Sequence, residues 1–490
     1  MTFSGRPLAR LFVSGLFVIL ALASQSIDVE AFYDSPSAPL KGAASRSKTA
    51  SESSYIPPEF QDLYPALQAS LSSYNSALNS RWDGSKSPIL LGAELTPADG
   101  YIAIYNAART NELGAYYDNR ITPFLNAYQA MGMTTVKFLI QFPMFYQKFY
   151  QSNGDQTGTA YNNIVAFYQR LVKDLHGRGI KVIIQSQVQP AGNGPIAGDP
   201  LQLASYYASF PDFASYVSAR AANALAIAQL LQPDFLNFSA EPDTEGPKTG
   251  GSVAAIALNP RRENSGFVAN VRQLQSTILS TLLQANLPGL HSRLKLVVGL
   301  GSWEHQLGGV LQNELGLQGI DIIDIHVHPI NSFRGHDFLA TILPIADAVR
   351  AAGKQVGMDE EWEYKERDSE FGAGGYGHTK VSIADIDARD HFSFWAPLDQ
   401  KFLQAMVNTG YYEKMAYFSA SEPNQFFAYL DYAQTPGCPT SSGSGSMVCR
   451  SNEWNRASSE AVYRALANSP ASLTGTGSFY SGLIKSTPGR

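Results

Sequence analysis

The sequence is poor in cysteine, in tryptophan and in charged side chains. Its 490 residues include two cysteines and five tryptophans, and charged residues make up only 16%. So few cysteines exclude a disulfide-stapled scaffold and a cysteine-rich metal site. The net charge is −6 and no basic stripe is present, so nucleic acid is not an expected partner.

Long apolar runs are missing as well, except near the start of the chain. Residues 1–31 look like a secretory signal, because Arg6 and Arg10 precede an apolar run over 11–22 that is short for a membrane span. Small residues near positions 23 and 31 offer two cleavage sites. No later segment is apolar for as many as ~18 residues. We therefore expect a secreted or periplasmic protein without a membrane span in its mature chain.

Composition divides the remainder of the chain into three parts. Residues 32–58 are rich in Ser, Ala and Pro, which predicts a disordered linker. Residues 59–470 form the predicted catalytic domain, and 471–490 a C-terminal tail. Within the domain, Cys438 and Cys449 bracket a Gly/Ser-rich loop, and in an exported chain this spacing predicts one disulfide bond. A reactive or metal-binding pair is the other interpretation, but no histidine lies nearby.

Eight short β-forming runs alternate with segments of helical periodicity along residues 59–470. Such alternation predicts a parallel sheet with right-handed crossovers, and eight repeats favour a closed (β/α)8 TIM barrel of the α/β class. A barrel of this kind gathers its functional side chains at the carboxyl ends of its strands. The side chains expected at that rim are those of Glu94, Gln141, Gln187, Glu241, Trp303, His328, Glu360 and Ser419.

A glutamate closes the fourth predicted strand. The apolar run Phe235 to Phe238 stops at Ala240, and Glu241 is followed directly by Pro242. A short apolar run that ends in a breaker is typical of a buried strand. Glu241 is therefore either a catalytic acid at the barrel rim or an exposed loop glutamate.

The seventh predicted strand ends in a cluster of carboxylates. Val356 and Met358 alternate toward Asp359, Glu360 and Glu361. Two strand-end carboxylates supplied by different strands are what glycoside hydrolysis needs, as a proton donor and as a nucleophile or base. Adjacent strand residues point to opposite faces, so Glu360 and Glu361 cannot both serve, and the sequence leaves the choice open.

These motifs resemble those of the clan A glycoside hydrolases, which are retaining (β/α)8-barrel enzymes. That clan carries Asn-Glu-Pro-like, His-x-Tyr-like and aliphatic-x-aliphatic-Thr/Ser-Glu motifs on strands 4, 6 and 7. Here Ala240 replaces the Asn, His328 the Tyr, and Asp359 the Thr or Ser. The resemblance implies a glycosidase for β-linked poly- or oligosaccharides that needs no cofactor. It makes Glu241 the acid/base, with a raised pKa, and Glu360 the first choice for nucleophile.

Further side chains are candidates for binding substrate. His326 and His328 lie two apart on one strand and therefore share a face, where one can orient the nucleophile. Both are equally compatible with a purely structural role. The other candidates are two polar residues and three rings near strand ends: Glu94, Gln187, Trp303, Trp362 and Tyr417.

Two other classes of function remain open. The run from Asp324 to His328 resembles the His-x-His opening of metal-dependent amidohydrolase barrels, although there the motif lies on the first strand. The missing Asn before Glu241 also leaves a non-catalytic carbohydrate-binding barrel possible. In every case we expect a monomer that takes carbohydrate, or a small molecule, at one end of a barrel.

Overall fold

Eight parallel strands close into a barrel, which confirms the predicted TIM-barrel fold. The computed structural model describes residues 55–99, 101–191, 202–260, 266–304, 307–328, 330, 332–333, 336–370, 383–435 and 447–489. The order of strands around the barrel is β1-β10-β9-β6-β5-β4-β3-β2, and β7 and β8 form a separate antiparallel hairpin. The strands β1 to β10 span Leu90–Glu94, Thr135–Leu139, Lys181–Gln185, Phe235–Asn237, Lys295–Gly301, Ile322–His326, Ser332–Phe333, His336–Asp337, Gln355–Glu361 and Tyr417–Ala420.

Helices surround the barrel and cover the outer face of its strands. Helices α1 to α18 span Leu63–Asn79, Thr96–Asp99, Tyr101–Thr110, Leu113–Tyr116, Thr122–Met131, Gln147–Ser152, Thr159–Gly177, Leu203–Ala208, Phe213–Leu231, Pro242–Lys248, Val253–Ala257, Phe267–Gln284, Leu307–Gly316, Ile342–Ala351, Ile383–Arg389, Ala396–Glu413, Met447–Leu466 and Gly475–Lys485. Because the strands are buried on both faces, they are rich in aliphatic residues. None of the helices in the described ranges is long and apolar enough to cross a bilayer.

The barrel interior is apolar toward the amino ends of its strands, which form the lower layer, and polar toward their carboxyl ends. Its lower layer is a cluster of five buried side chains: Ile183, Phe235, Val297, Ile322 and Tyr417. A Cβ on Gly357 would lie 2.6 Å from the Tyr417 ring, so glycine lets that ring fill the barrel floor. Above it, Lys137, Gln185, Asn237 and Asp324 are all fully buried. Polar groups packed this deeply need partners. Carboxylates above them accept from Lys137, Gln185 and Asn237, and Asp324 accepts from the Tyr417 hydroxyl below.

A bulge in β9 turns two consecutive carboxylates inward. Between Met358 and Glu361 the strand advances by three residues while its partner β10 advances by two. The extra residue lets both Asp359 and Glu360 face the barrel interior, where they bond to side chains of β4 and β2. A regular strand would have turned one of them outward.

The structure differs from the expected C-terminal tail. Residues predicted to lie beyond the barrel form α18, which packs on the sheet: Tyr480 is fully buried and donates a hydrogen bond of 2.6 Å to the carbonyl of Gly92. Its ring also stacks on Phe426 at 5.0 Å. The predicted signal segment, most of the linker, and Cys438 lie outside the described residues, and nothing is described of the Cys449 side chain.

Candidate active site

Glu241 and Glu360 meet at the carboxyl end of the barrel. Glu241 immediately precedes α10, and Glu360 lies in the bulge of β9. Their nearest oxygens, together with one nitrogen each of His326 and His328, all lie within 4.8 Å of one another. Glu241 is almost fully buried, whereas the Glu360 side chain retains 20% of its exposure. Two strands on opposite sides of the barrel thus bring their carboxylates to one point.

Three donors surround the carboxylate of Glu241. His326 Nδ1 lies 2.9 Å from Oε1, and the Thr244 hydroxyl donates to Oε2 at 2.8 Å. Lys248, at the end of α10, reaches back to 3.5 Å from Oε2. Burial alone would raise the pKa of Glu241, but Lys248 and the two histidines outweigh it and hold the pKa well below its usual range.

This charge state differs from the expected one. The resemblance implied a raised pKa for Glu241, and that expectation is wrong for the free protein because the neighbouring cations face the carboxylate directly. The proton resides on the histidines instead. Burial would lower the pKa of His326, yet the charge of Glu360 and hydrogen bonds with Asp359 and Glu241 raise it well above the usual value.

The carboxylate of Glu360 is held from below. Lys137 Nζ lies 3.2 Å from Oε2, and the Gln185 amide donates to the same oxygen at 2.9 Å. His328 Nε2 lies 3.3 Å from Oε1. Burial favours the neutral acid, but the charges of Lys137 and His326 prevail and keep the pKa of Glu360 well below its usual range. Glu360 is therefore an ionised, oriented and partly accessible carboxylate.

His326 links Glu241 to a second buried carboxylate. Its Nε2 lies 2.9 Å from Asp359 Oδ1, opposite the Nδ1 contact with Glu241. Asn237 donates to the other oxygen of Asp359 at 3.1 Å. Both ring nitrogens of His326 are thus engaged by carboxylates, which fixes the plane of the imidazole.

Aromatic rings frame His328 at the mouth of the barrel. Tyr364 stacks on the imidazole at 5.2 Å, and the partly exposed Trp303 lies 5.0 Å away on a tilted plane. Trp362 packs edge-on against Tyr364 at 4.6 Å and is 7% exposed. Flat rings around a polar pocket suit the apolar faces of a sugar. Trp303 and Trp362 both lie beside His328, with ring centroids 5.0 and 6.4 Å away.

The structure does not bring Glu361 or Tyr417 to this pocket. Glu361 is 1% exposed, and neither of its oxygens has a hydrogen-bond partner within the described ranges. Burial, then the charges of Asp324 and Asp359, raise its pKa well above the usual value, so it is a neutral core residue. Tyr417 lies in the barrel floor and donates to Asp324 at 2.6 Å.

Glu94 and Gln187 each bind a lysine that faces the pocket. Glu94 accepts from Lys137 at 2.7 Å, so that lysine bridges it to Glu360. Gln187 accepts from Lys248 at 2.7 Å. Each predicted polar residue therefore steadies a cation that faces one of the two central carboxylates.

Sequence reasoning missed several polar residues of the site. Lys137 carried one signal, because a lysine inside an apolar β run must find a carboxylate when it is buried. Asp243 and Glu304 carried none; burial raises the pKa of Asp243 to about 7, with Glu241 adding to the effect. Glu422 was not missed, because it also precedes a proline at the end of a predicted strand and so is a rival for the acid; burial and Glu94 raise its pKa to about 7.

Several solved structures are similar to this chain at low sequence identity. No family model and no curated protein sequence matches it. An endo-β-1,4-mannanase double mutant from Cellulomonas fimi is 14% identical over 80% of this chain and 74% of that chain, with a TM-score of 0.36. The virulence factor SghA from Agrobacterium tumefaciens is 14% identical, over 79% and 99%, with a TM-score of 0.38. A fungal β-1,4-galactanase is 12% identical, over 76% and 100%, with a TM-score of 0.37. Identities this low leave the activity to be inferred from the side chains of the site.

Proposed function

We propose that this protein is a glycoside hydrolase that cleaves a β-linked poly- or oligosaccharide with retention of configuration. The observation that carries the proposal is the convergence of Glu241 and Glu360, whose nearest oxygens lie within 4.8 Å at the barrel mouth. Retaining enzymes hold their two carboxyl groups about 5–5.5 Å apart, whereas inverting enzymes leave about 6.5–9.5 Å for a water. The close approach favours retention.

Glu360 is the nucleophile in this proposal. Its carboxylate is ionised, it retains access to solvent, and Lys137 and Gln185 fix one oxygen from below. The oxygen nearer His328 is the one that attacks the anomeric carbon. The glycosidic C–O bond breaks as the new ester bond forms, and water later cleaves that ester.

Glu241 is the acid/base, and His326 supplies its proton. In the free protein the proton lies on the imidazole, 2.9 Å from Glu241 Oε1. A bound sugar displaces solvent and the long 3.5 Å contact of Lys248, after which burial favours the neutral acid. Glu241 then protonates the leaving oxygen and, in the second step, takes a proton from the attacking water.

Two substitutions test these roles on aryl β-glycosides. Glu360→Ala should abolish turnover, and azide should restore none of the retained product. Glu241→Ala should spare substrates with activated leaving groups and give, with azide, a glycosyl azide of retained configuration. Glu361→Gln is the matched control, because it changes the next residue of the same strand on its outer face and should stay near wild type.

A non-catalytic carbohydrate-binding barrel and a metal-dependent hydrolase predict other outcomes. The binding protein would hold sugar and show no turnover in any variant. A metal-dependent hydrolase would lose its activity when a chelator removes the metal. His326 and His328 would bind that metal at the point where their nitrogens meet. Either result would replace the glycosidase proposal.

The proposal also includes export of a monomer after cleavage of the signal segment near position 23 or 31, and a bond between Cys438 and Cys449. Sequencing the amino terminus of the exported protein tests the first point, and light scattering the monomer. Closing so short a loop should add about 3 kcal/mol at most to the stability. Two thiols titrated in unfolded, unreduced protein would contradict the disulfide.

A further inference from the structure

We propose that Glu241, His326, His328 and Glu360 form a binding site for one Zn²⁺-like divalent cation, which competes with the glycoside. Each residue offers one oxygen or nitrogen, and the four atoms lie within 4.8 Å of one another. The proposal concerns the same pocket as the glycosidase activity. Only its competitive part rests on that activity, since the binding of the cation does not require turnover.

The distances between the four ligands are those of a tetrahedral site. Zinc bonds imidazole nitrogen and carboxylate oxygen at about 2.0–2.2 Å, so tetrahedral ligands lie about 3.3–3.6 Å apart. His326 Nδ1 is 2.9 Å from Glu241 and 3.8 Å from Glu360. His328 Nε2 is 3.7 Å from Glu241 and 3.3 Å from Glu360. The two Glu360 distances end on different oxygens, Oε2 and Oε1, so a rotation of the Glu360 carboxylate would bring one oxygen within reach of both histidines.

Apart from their contacts with Glu241 and Glu360, both histidines have surroundings that fit a metal site. Asp359 accepts from Nε2 of His326, which leaves Nδ1 directed at the shared point, and such carboxylate–histidine pairs orient metal ligands. His328 is 5% exposed, and its Nδ1 has no hydrogen-bond partner among the residues described. The polar contacts of His328 are thus made through Nε2, which faces Glu241 and Glu360.

The ligand set selects the type of cation. Two imidazoles with two carboxylates suit Zn²⁺ or Co²⁺, whereas Mg²⁺ and Ca²⁺ prefer oxygen ligands alone. Lys137 and Lys248 lie 3.2 and 3.5 Å from the two carboxylates and repel the incoming cation. The bound ion would occupy both carboxylates, so sugar and metal exclude each other.

Titration of the purified chain with Co²⁺ tests the site without any substrate. A tetrahedral site with nitrogen ligands gives intense visible absorption, while hydrated Co²⁺ absorbs weakly. We expect the intense band to saturate at one ion per chain and Zn²⁺ to remove it. His328→Gln and Glu360→Gln should each abolish the band. His291→Gln is the control, because His291 also pairs with a carboxylate, Asp321 at 2.9 Å, but is far more exposed.

The outcomes separate this inference from the proposed function. A weak octahedral spectrum, or a band that survives in folded His328→Gln and Glu360→Gln, would overturn the metal site and leave the glycosidase untouched. When the substrate is an aryl glycoside that the protein hydrolyses, Zn²⁺ should raise the apparent KM and leave kcat unchanged. Activity that requires Zn²⁺ would overturn the competition, because the cation would then assist the reaction. Circular dichroism of each variant establishes that it is folded.

Discussion

At the scale of single residues, the ionisation of Glu360, the proposed nucleophile, depends on Lys137. This lysine is fully buried in β2 and bridges Glu94 and Glu360 at 2.7 and 3.2 Å. Burial would lower its pKa, but the facing carboxylates raise it well above the usual value, so it stays charged. Its position two residues below the rim explains why strand-end reasoning overlooked it.

We predict that Lys137→Met lowers kcat/KM by about 100-fold or more, since it removes a donor that orients Glu360 and a charge that keeps it ionised. Lys137 lowers the pKa of Glu360, so its loss raises that pKa and the acidic limb of the kcat/KM profile should move to higher pH. Lys354→Met is the control, because Lys354 bonds only backbone carbonyls far from the site. An unchanged acidic limb would exclude Glu360 as the group that must be ionised.

At the scale of elements, the two strands that carry the carboxylates were recognisable in the sequence. An apolar run followed by Glu-Pro located Glu241, and the alternation before Asp359 located the cluster around Glu360. The choice between Glu360 and Glu361 was not accessible, because a bulge adds a residue to β9 and shifts the side-chain alternation. Nothing in the letters of that strand marks where the extra residue lies.

Helix α10 influences the charge of Glu241, the proposed acid/base. It begins directly after Glu241 and ends at Lys248, whose ammonium folds back to 3.5 Å from the Glu241 carboxylate. Lys248 lowers the pKa of Glu241, so Lys248→Met should raise it and make the proton that His326 and Glu241 share harder to remove. We predict that the basic limb of the kcat/KM profile moves to higher pH, whereas Lys137→Met moves the acidic limb. A basic limb that stays in place would show that Lys248 does not set this ionisation.

At the scale of the whole molecule, the barrel and its one functional end were predictable, whereas the packing that encloses the barrel was not. Alternating β and helical patterns fix the topology, because seven right-handed crossovers between eight strands allow few alternatives. The terminal helix α18 lies in residues that the sequence analysis assigns to a C-terminal tail. Its role depends on Tyr480, whose burial against β1 is a tertiary contact without a local signal.

His391, remote from the pocket, links stability to pH. It is buried against Asn455 at 2.7 Å, and burial lowers its pKa to about 4. The unfolded chain has a histidine pKa near ~6.5, so it binds more protons than the folded chain between pH ~6.5 and ~4. The contribution is complete above pH ~6.5 and is lost as the pH falls toward ~4, by roughly 3 kcal/mol.

We therefore predict that His391→Gln loses less stability than wild type between pH ~7 and ~4.5. Urea unfolding of both proteins at the two pH values measures this difference, and His291→Gln controls for an exposed histidine. Equal losses in wild type and His391→Gln would contradict the assignment of a buried neutral imidazole.

The proposed mechanism requires Glu360 to form a covalent bond with the sugar. A panel of 2-deoxy-2-fluoro aryl β-glycosides traps such an ester, because fluorine slows its hydrolysis more than its formation. Mass spectrometry of the digested protein then identifies the labelled residue. We expect one sugar per chain, attached to Glu360, with no label in Glu360→Ala and full labelling in Glu361→Gln. A label on Glu361 or on Glu241, or turnover of the parent glycoside without any trapped ester, would contradict it.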